Sequence, residues 1–323
     1  MCLLAVIALL PLSVFAGANH LCTPVSVSCS VVHGWPVLPD GFAFGEVSGV
    51  GVDSHNRIFV VHRGEHPIMY FDGDSGKLLG SWGDGMFGRP HGLCVDRQDN
   101  IWVTDDKRHV VHKFNKTGEL LMTVGAKDVA GLDGTHFNRP TDVAIGPNGE
   151  FYVTDGYGNR RVAKFSPSGQ FLLDWGTAGD QPGQFETPHG ITVDSRGRIL
   201  VADRSNLRVQ IFDGNGKFLG QWKSADLGRP WDVFAAPDGL IYVVDGGDLK
   251  PNPPDRGRIL KLSLDGKILE KFSSFGRADG QIYWGHSITV APNRDIYVTD
   301  ILGMRVQKFT PTERCGARGR MAK

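Results

Sequence analysis

The sequence predicts an all-β protein, a six-bladed β-propeller with four antiparallel strands in each blade. Two observations favour this fold. A unit of about 45 residues occurs six times, which is the spacing typical of propeller blades. Within each unit, four short apolar runs are separated by turn sequences such as NKTG, SPSG and DGNG, whose residues tolerate tight turns. No helical periodicity competes with this pattern.

The six repeated units follow one another along most of the chain. They span residues 48–83, 89–125, 139–176, 187–222, 229–276 and 284–309. The sixth unit lacks a fourth apolar run, whereas residues 25–38, ahead of the first unit, alternate apolar and polar residues. We expect this segment to pair with the last blade and close the ring, which removes an exposed sheet edge; the alternative is a linker. The insertion at 249–257 in the fifth unit is expected to be a solvated loop at a blade rim.

The N-terminus has the composition of a secretory signal peptide, predicted over residues 1–18. Residues 3–16 are almost wholly apolar, and small residues follow at a plausible cleavage site. The predicted organisation is then an N-terminal segment (19–47) with the ring-closing strand, the propeller (48–309) and a polar, basic tail (310–323). No other stretch approaches the length of a membrane span. A secreted or extracytoplasmic protein is expected, and in that setting Cys22 and Cys29 could form a local disulfide.

The charge balance excludes one class of partner. The chain has 35 basic and 35 acidic residues, so its formal net charge is zero, and no basic stripe interleaved with aromatic residues is present. Nucleic-acid binding is therefore not expected. We expect a monomer.

Three histidines recur at one position of the repeat. They are His91, His189 and His286, in the phrases RPHGLCVD, TPHGITVD and WGHSITVA of units two, four and six. In the intervening units the same position holds Ser48, Thr141 and Trp231. Alternate blades of a six-bladed ring lie about 120° apart, so the three imidazoles should meet on the central axis. The pattern predicts a three-histidine metal site with one open coordination position. Zn²⁺ is the first choice, although Fe, Co and Mn also accept imidazole.

A second repeated position follows the second strand of each unit. It holds His62 in the first unit and a carboxylate in the other five, which we expect to cap turns and join blades: Asp105, Asp155, Asp203, Asp245 and Asp300. The residues immediately beyond should line the mouth of the channel. Arg63, Arg204 and Tyr157 are the candidates there. Two guanidinium groups and a phenol beside a metal form a plausible site for a carboxylate-bearing substrate.

These residues resemble a known family. VADRSNLRVQIF and VTDGYGNRRVAKFSPSG resemble NHL repeats. The set FVVHRGEH, RPHGL, TDGYGNRR, TPHGI, VADR and GHS, within residues 40–310, resembles peptidyl-α-hydroxyglycine α-amidating lyase. The resemblance implies a carbon–nitrogen lyase that releases a peptide amide and glyoxylate. It implies zinc on the three histidines, Tyr157 as the catalytic tyrosine, and Arg63 and Arg204 as substrate-site arginines.

The resemblance also implies partners and a second metal. The substrate would be a small peptide or acyl-glycine derivative with a terminal carboxylate, supplied by a separate monooxygenase. A structural calcium ion would take the backbone carbonyls of Val50 and Leu93 and a carboxylate directly after the third histidine, where this chain has Ser287. Trp284 replaces a methionine of the family. Three positions that hold disulfide cysteines in animal members are Gly158, Val201 and Phe212 here. These departures predict a divergent relative of the family.

Two other function classes remain open at this stage. One is a metal-dependent hydrolase, such as a lactonase built on a six-bladed propeller. The other is a non-catalytic NHL-repeat scaffold, in which the histidines would be structural. Metal content separates the scaffold from both enzymes, and glyoxylate release separates the lyase from the hydrolase.

Overall fold

The computed structural model describes residues 29–247 and 256–312 and confirms the six-bladed β-propeller. The predicted signal peptide, Cys22, most of the rim insertion and most of the basic tail lie outside these residues. In chain order the strands are β1 Cys29–Val31, β2 Val47–Val52, β3 Arg57–His62, β4 Ile68–Asp72, β5 Leu78–Trp82, β6 Pro90–Val95, β7 Ile101–Asp105, β8 Val110–Phe114, β9 Leu120–Val124, β10 Asp142–Ile145, β11 Phe151–Asp155, β12 Arg161–Phe165, β13 Phe171–Trp175, β14 Thr177–Ala178, β15 Gln184–Phe185, β16 Pro188–Val193, β17 Ile199–Asp203, β18 Arg208–Phe212, β19 Phe218–Trp222, β20 Pro230–Ala235, β21 Ile241–Asp245, β22 Arg258–Leu262, β23 Ile268–Phe272, β24 Ser274–Phe275, β25 Gln281–Ile282, β26 Gly285–Val290, β27 Ile296–Asp300 and β28 Arg305–Pro311.

Each blade is one four-stranded antiparallel sheet. Blades one to five are β2–β5, β6–β9, β10–β13, β16–β19 and β20–β23. Blade six combines β26–β28 with β1, which pairs with β28 in the register Cys29↔Pro311. The N-terminal part of the described chain therefore supplies the strand that the sixth unit lacks. Two short parallel pairs, β14–β15 and β24–β25, lie in the connections. A single 3₁₀ turn, Arg204–Asn206, follows β17.

The core lies between the blades. Six apolar clusters each join two neighbouring sheets, and together they cover all six seams of the ring. At the closing seam, Trp35 packs against Tyr297 of blade six, with ring centroids 4.8 Å apart, and against Phe71 of blade one. Alternating strand residues supply both faces of each sheet, because every sheet is covered on both sides.

The repeated carboxylates cap the loops that lead into the inner strands. Asp105 accepts the backbone N–H groups of Gly88 and Arg89, and Asp300 accepts those of Tyr283 and Trp284. In blade one, Nδ1 of His62 takes the same role, accepting the backbone N–H of Gly45 at 3.0 Å. These caps fix the chain just before each inner strand. The three histidines are the second residues of the inner strands β6, β16 and β26.

Candidate metal centre and channel mouth

The three histidines of blades two, four and six meet at the channel axis. Each side chain is buried, and one nitrogen of each ring lies within 4.8 Å of the corresponding nitrogens of the other two. Their ring centroids are 4.7 to 4.9 Å apart. The three imidazoles are therefore close enough for a single ion to reach all of them. In the described residues the only other grouping of this kind is Asp53, His55 and Asp99 at the surface, where Asp53 is already paired with Arg57.

The blades between the histidines orient them. Nδ1 of His91, His189 and His286 lies 2.7 Å from the backbone oxygen of Thr141, Trp231 and Ser48, respectively. A carbonyl oxygen only accepts, so each Nδ1 carries the proton and donates it. Each Nε2 is then unprotonated, and its lone pair can accept a hydrogen bond or bind a metal ion. Three neutral imidazoles presenting Nε2, with the second nitrogen held by a carbonyl, form the donor set that zinc takes in proteins.

Burial keeps these imidazoles neutral. It is the main cause that lowers the pKa of all three histidines well below the ordinary value. Neighbouring positive charge acts in the same direction: Arg63 on His286, and Arg204 on His189. Because a metal ligand must be unprotonated, this environment favours metal binding at neutral pH.

Tyr157 covers the centre from the channel mouth. Its hydroxyl lies 2.9 Å from Nε2 of His91 and 3.1 Å from Nε2 of His189, so it faces the point on which the histidines converge. Gly156, the residue before Tyr157, allows the tyrosine to reach this position. A side chain at Gly156 would overlap the backbone oxygen of Pro188, so only glycine lets the chain of blade three pass this close to blade four.

Arg204 lies against the Tyr157 phenol. Its Nη1 is 3.4 Å from the hydroxyl, and its guanidinium lies 5.3 Å from the Tyr157 ring and 4.3 Å from the Trp231 ring. The side chain is buried, and burial lowers the pKa of its guanidinium. In the described chain no carboxylate pairs with it, which leaves a buried positive charge that an anionic ligand would neutralise.

Arg63 faces the centre from the opposite side. Its Nη1 pairs with Glu46 at 2.6 Å, and its Nε donates to the backbone oxygen of Pro90, the residue before His91. Its Nη2 is buried and has no hydrogen-bond partner in the described structure. The fold thus brings Arg63, Tyr157 and Arg204, the three residues predicted from the sequence, to the mouth of the channel.

The remaining side of the mouth is aromatic: the rings of Trp231 and Trp284 pack edge to face, with ring centroids 5.7 Å apart.

The other end of the channel is acidic. Asp142 of blade three is half-buried and Asp232 of blade five is buried, and both lie at the repeat position directly after that of the histidines. Glycines in the neighbouring blades make room for them, since a side chain at Gly92 or Gly190 would collide with these carboxylates. Burial raises the pKa of both carboxyl groups, and the charge of Asp232 raises that of Asp142 further.

This acidic end changes the prediction for calcium. Val50 and Leu93 lie on the inner strands and line a cavity of about 440 Å³ that opens on the far side of the histidines. Ser287 is at this cavity too and brings no carboxylate. Asp142 and Asp232 occupy the equivalent position on two other blades. Sequence reasoning missed them, although the column after Thr141 and Trp231 in the repeat alignment contains both.

A second group that sequence reasoning missed lies at the mouth. Arg89 and Arg139 both reach the buried carboxylate of Asp106, at 2.8 and 3.1 Å. The repeat alignment could have identified Asp106, because it occupies the same position in blade two that Arg63 and Arg204 hold in blades one and four.

Comparisons with known proteins agree on the repeat and on a group of enzymes. A family model described as NHL repeat matches residues 87–114, 137–165 and 185–212. Peptidyl-glycine alpha-amidating monooxygenase A of Xenopus laevis is 36% identical over 86% of this chain and 33% of its own length. Peptidyl-alpha-hydroxyglycine alpha-amidating lyase 2 of Drosophila melanogaster is 30% identical over 84% of this chain and 72% of its own length. The chain thus spans about a third of the first of these relatives and most of the second.

A solved structure supports the fold. A putative gluconolactonase superposes with a TM-score of 0.63 at 16% identity, covering 90% of this chain and 94% of its own. At that identity the likeness concerns the architecture alone. No helix among residues 29–247 and 256–312 has the length and apolar character needed to cross a membrane.

Proposed function

The chain belongs to the peptidyl-α-hydroxyglycine α-amidating lyase family, and we propose that it is a zinc-dependent lyase that cleaves peptidyl-α-hydroxyglycine into a peptide amide and glyoxylate. One observation carries the proposal. The Tyr157 hydroxyl lies within hydrogen-bond reach of two histidine Nε2 atoms and of Arg204, so a base, a metal centre and a cation meet at one point. The structural neighbour named as a lactonase shares the architecture, but the three neutral imidazoles favour the lyase.

The residues divide the reaction between them. In this proposal Tyr157 accepts the proton of the substrate α-hydroxyl. The O–H electron pair forms the aldehyde carbonyl of glyoxylate, the C–N bond breaks, and its electron pair goes to the amide nitrogen, which receives the proton. Zn²⁺ held by the three histidines would supply a Lewis acid that makes the α-hydroxyl more acidic. Arg63 and Arg204 hold the substrate carboxylate and stabilise developing negative charge.

The cellular setting follows from the same proposal. We infer that the protein is exported, as the predicted signal peptide indicates, and that a separate monooxygenase supplies its hydroxyglycine substrate.

A structural calcium ion is proposed on the far side of the histidines. Asp142 and Asp232 supply carboxylates there, and in the described residues neither is paired with a basic side chain. Calcium takes carboxylate and backbone carbonyl oxygens, and the inner strands at Val50 and Leu93 add carbonyls nearby. In this chain the calcium carboxylates would come from blades three and five rather than from residue 287.

The decisive test combines metal analysis with a product assay. The purified chain is expected to contain about one zinc ion per molecule and to release glyoxylate from an N-acyl peptide ending in α-hydroxyglycine. His189→Ala is expected to lower the zinc content and reduce glyoxylate release by roughly 10³-fold or more. His112→Gln is the matched control, because His112 is also a buried histidine but lies on β8, away from the axis. Full zinc content and full activity in His189→Ala would overturn the mechanism. Lactone hydrolysis without glyoxylate release would favour the hydrolase.

A further inference from the structure

Two arginines at the channel mouth have no role in the proposed reaction. Arg89 and Arg139 come from the loops that precede the inner strands of blades two and three, and both end on the carboxylate of Asp106. Nη1 of Arg89 and Nη2 of Arg139 lie 2.8 and 3.1 Å from the same oxygen, Oδ2. The other oxygen of Asp106 is buried and accepts no hydrogen bond within the described structure. One buried carboxylate therefore fixes both guanidinium groups.

This pair lies beside the proposed reaction centre. The Arg139 guanidinium is 5.0 Å from the centroid of the Tyr157 ring, the same ring that Arg204 contacts. Arg89 precedes His91 by two residues and shares the Asp106 oxygen with Arg139. Both arginines therefore lie beside the residues that would contact a substrate.

The backbone of Arg139 is held in one conformation beside Asp106. Its φ is +64°, in the left-handed region that favours glycine, and this conformation costs an arginine on the order of 1 kcal/mol. A hydrogen bond from its N–H to Nδ1 of His109 holds the conformation.

The charges at the mouth do not balance. The two guanidinium groups of Arg89 and Arg139 share one carboxylate, that of Asp106, whereas Arg63 has Glu46 to itself. Arg89 and Arg139 together keep one positive charge in excess. Their side chains are 38% and 44% exposed, so an incoming anion can reach their unused N–H groups.

We propose that Arg89 and Arg139, clamped on the buried Asp106 carboxylate beside Tyr157, form a second anion subsite that selects substrates with an acidic residue directly before the α-hydroxyglycine. This subsite rests on the proposed function, in which Arg63 and Arg204 take the terminal carboxylate. A carboxylate one residue upstream then meets the remaining cations of the mouth. Guanidinium–carboxylate hydrogen bonds supply the selectivity, because two donors in a fixed orientation match the two oxygens of one acid.

The test uses glycine-extended peptides that bind without reacting. Calorimetry on the full-length, zinc-loaded protein compares N-acetyl-Glu-Gly with N-acetyl-Gln-Gly, which differ only in the charge of one side chain. The Glu peptide is expected to bind about tenfold more tightly or better. Arg139→Gln and Arg89→Gln, made separately, are each expected to bring the affinity ratio close to one. Each variant leaves the other arginine paired with Asp106, so the buried carboxylate keeps one cationic partner.

The control and the product assay separate the two proposals. Arg196→Gln removes an arginine that pairs with Asp265 on the surface, and it should keep the preference for the Glu peptide. Equal affinity for the two peptides in the wild-type protein, or an unchanged ratio in both mouth variants, would show the subsite to be wrong. If the preference is present but the hydroxyglycine peptides release no glyoxylate, the proposed function fails, and Arg89 and Arg139 remain a binding site for a peptide carboxylate outside that reaction.

Discussion

The two ends of the central channel carry opposite charge, and the three histidines separate them. On the mouth side, Arg63 and Arg204 bring guanidinium groups toward the axis. On the far side, Asp142 and Asp232 bring carboxylates, and their mutual repulsion contributes to the raised pKa of Asp142. An anionic substrate is attracted to the first end. We therefore expect the substrate to enter from the mouth.

The residues of the two channel ends occupy different positions of the same repeat. The mouth residues follow the second strand of a blade, at the start of a loop, whereas the far-side carboxylates lie within the innermost strands. A loop residue can change without altering the packing of the sheet, but an inner-strand residue must fit its neighbours. Asp232, for example, requires Gly190 beside it. The reactive end is thus free to diverge, while the far end is constrained by packing.

The largest expected effect comes from the tyrosine at the positive end. Tyr157→Phe keeps the ring between Arg139 and Arg204 but removes the oxygen that would accept the substrate proton. We expect kcat for glyoxylate release to fall by about 10²- to 10⁴-fold, the usual contribution of a general base, with a much smaller change in KM. Steady-state kinetics on an α-hydroxyglycine peptide measures both.

The zinc content distinguishes this effect from loss of the metal. It should stay near the wild-type level in Tyr157→Phe, because the phenol is not needed for three imidazoles to hold the ion. Tyr152→Phe is the matched control: Tyr152 is a buried tyrosine of the same blade whose hydroxyl donates to the backbone oxygen of Gly214 at the blade rim. Wild-type kcat in Tyr157→Phe would exclude the tyrosine as the base.

A smaller effect is expected from removing positive charge at the mouth. Arg204→Gln eliminates a buried cation that the substrate carboxylate would neutralise. We expect a loss of about 2–4 kcal/mol in transition-state stabilisation, or roughly 30- to 1,000-fold in kcat/KM. The peptide amide product lacks the carboxylate, so its inhibition constant should change far less. If the variant weakened the amide product and the acidic substrate equally, Arg204 would be a packing residue.

The negative end should respond in stability. Asp232→Asn removes one of two carboxylates that repel each other, and its amide oxygen can still accept one of the two backbone N–H groups, of Val233 and Ile288, that Asp232 accepts. In protein stripped of metals and resupplied with zinc alone, we expect the free energy of unfolding at neutral pH to rise by about 3 kcal/mol. Calcium should then stabilise the wild-type protein and not the variant, as measured by denaturant unfolding.

A second carboxylate gives the contrasting control. Asp96 also lines the far cavity, but it pairs with Lys113 at 3.2 Å, so Asp96→Asn should lower stability whether or not calcium is present. If calcium stabilised the wild-type protein and Asp232→Asn equally, no cation would be bound by this pair of aspartates.

The sequence predicted the fold and the positive end better than the negative one. A sixfold repeat with a histidine at every second blade determines the geometry, because equivalent positions of a closed ring must converge on its axis. The convergence of Tyr157 and Arg204 follows from the same counting. The role of Asp106 does not, because two arginines from separate loops reach it and their approach depends on loop conformation. Asp142 and Asp232 were missed because a carboxylate beside a strand start is ordinarily a cap, and only the packed ring shows them facing each other.

The smallest expected effect concerns the one blade whose cap is not a carboxylate. His62 precedes Arg63, at the position that Asp203 holds before Arg204 in blade four. Burial lowers the pKa of His62 to about 4, and its Nε2–H donates to the backbone oxygen of His66. The unfolded chain therefore binds this proton more readily than the folded one. The stability that the neutral side chain provides is complete above pH about 6.5 and declines as the pH falls toward 4.

At pH 5 we expect this decline to reach about 2 kcal/mol. His62→Asn, which keeps an acceptor for the N–H of Gly45, should flatten the dependence of unfolding free energy on pH between 6.5 and 4. An equally steep decline in the variant would assign the acid sensitivity to other groups and leave the uncharged cap beside Arg63 without an energetic role.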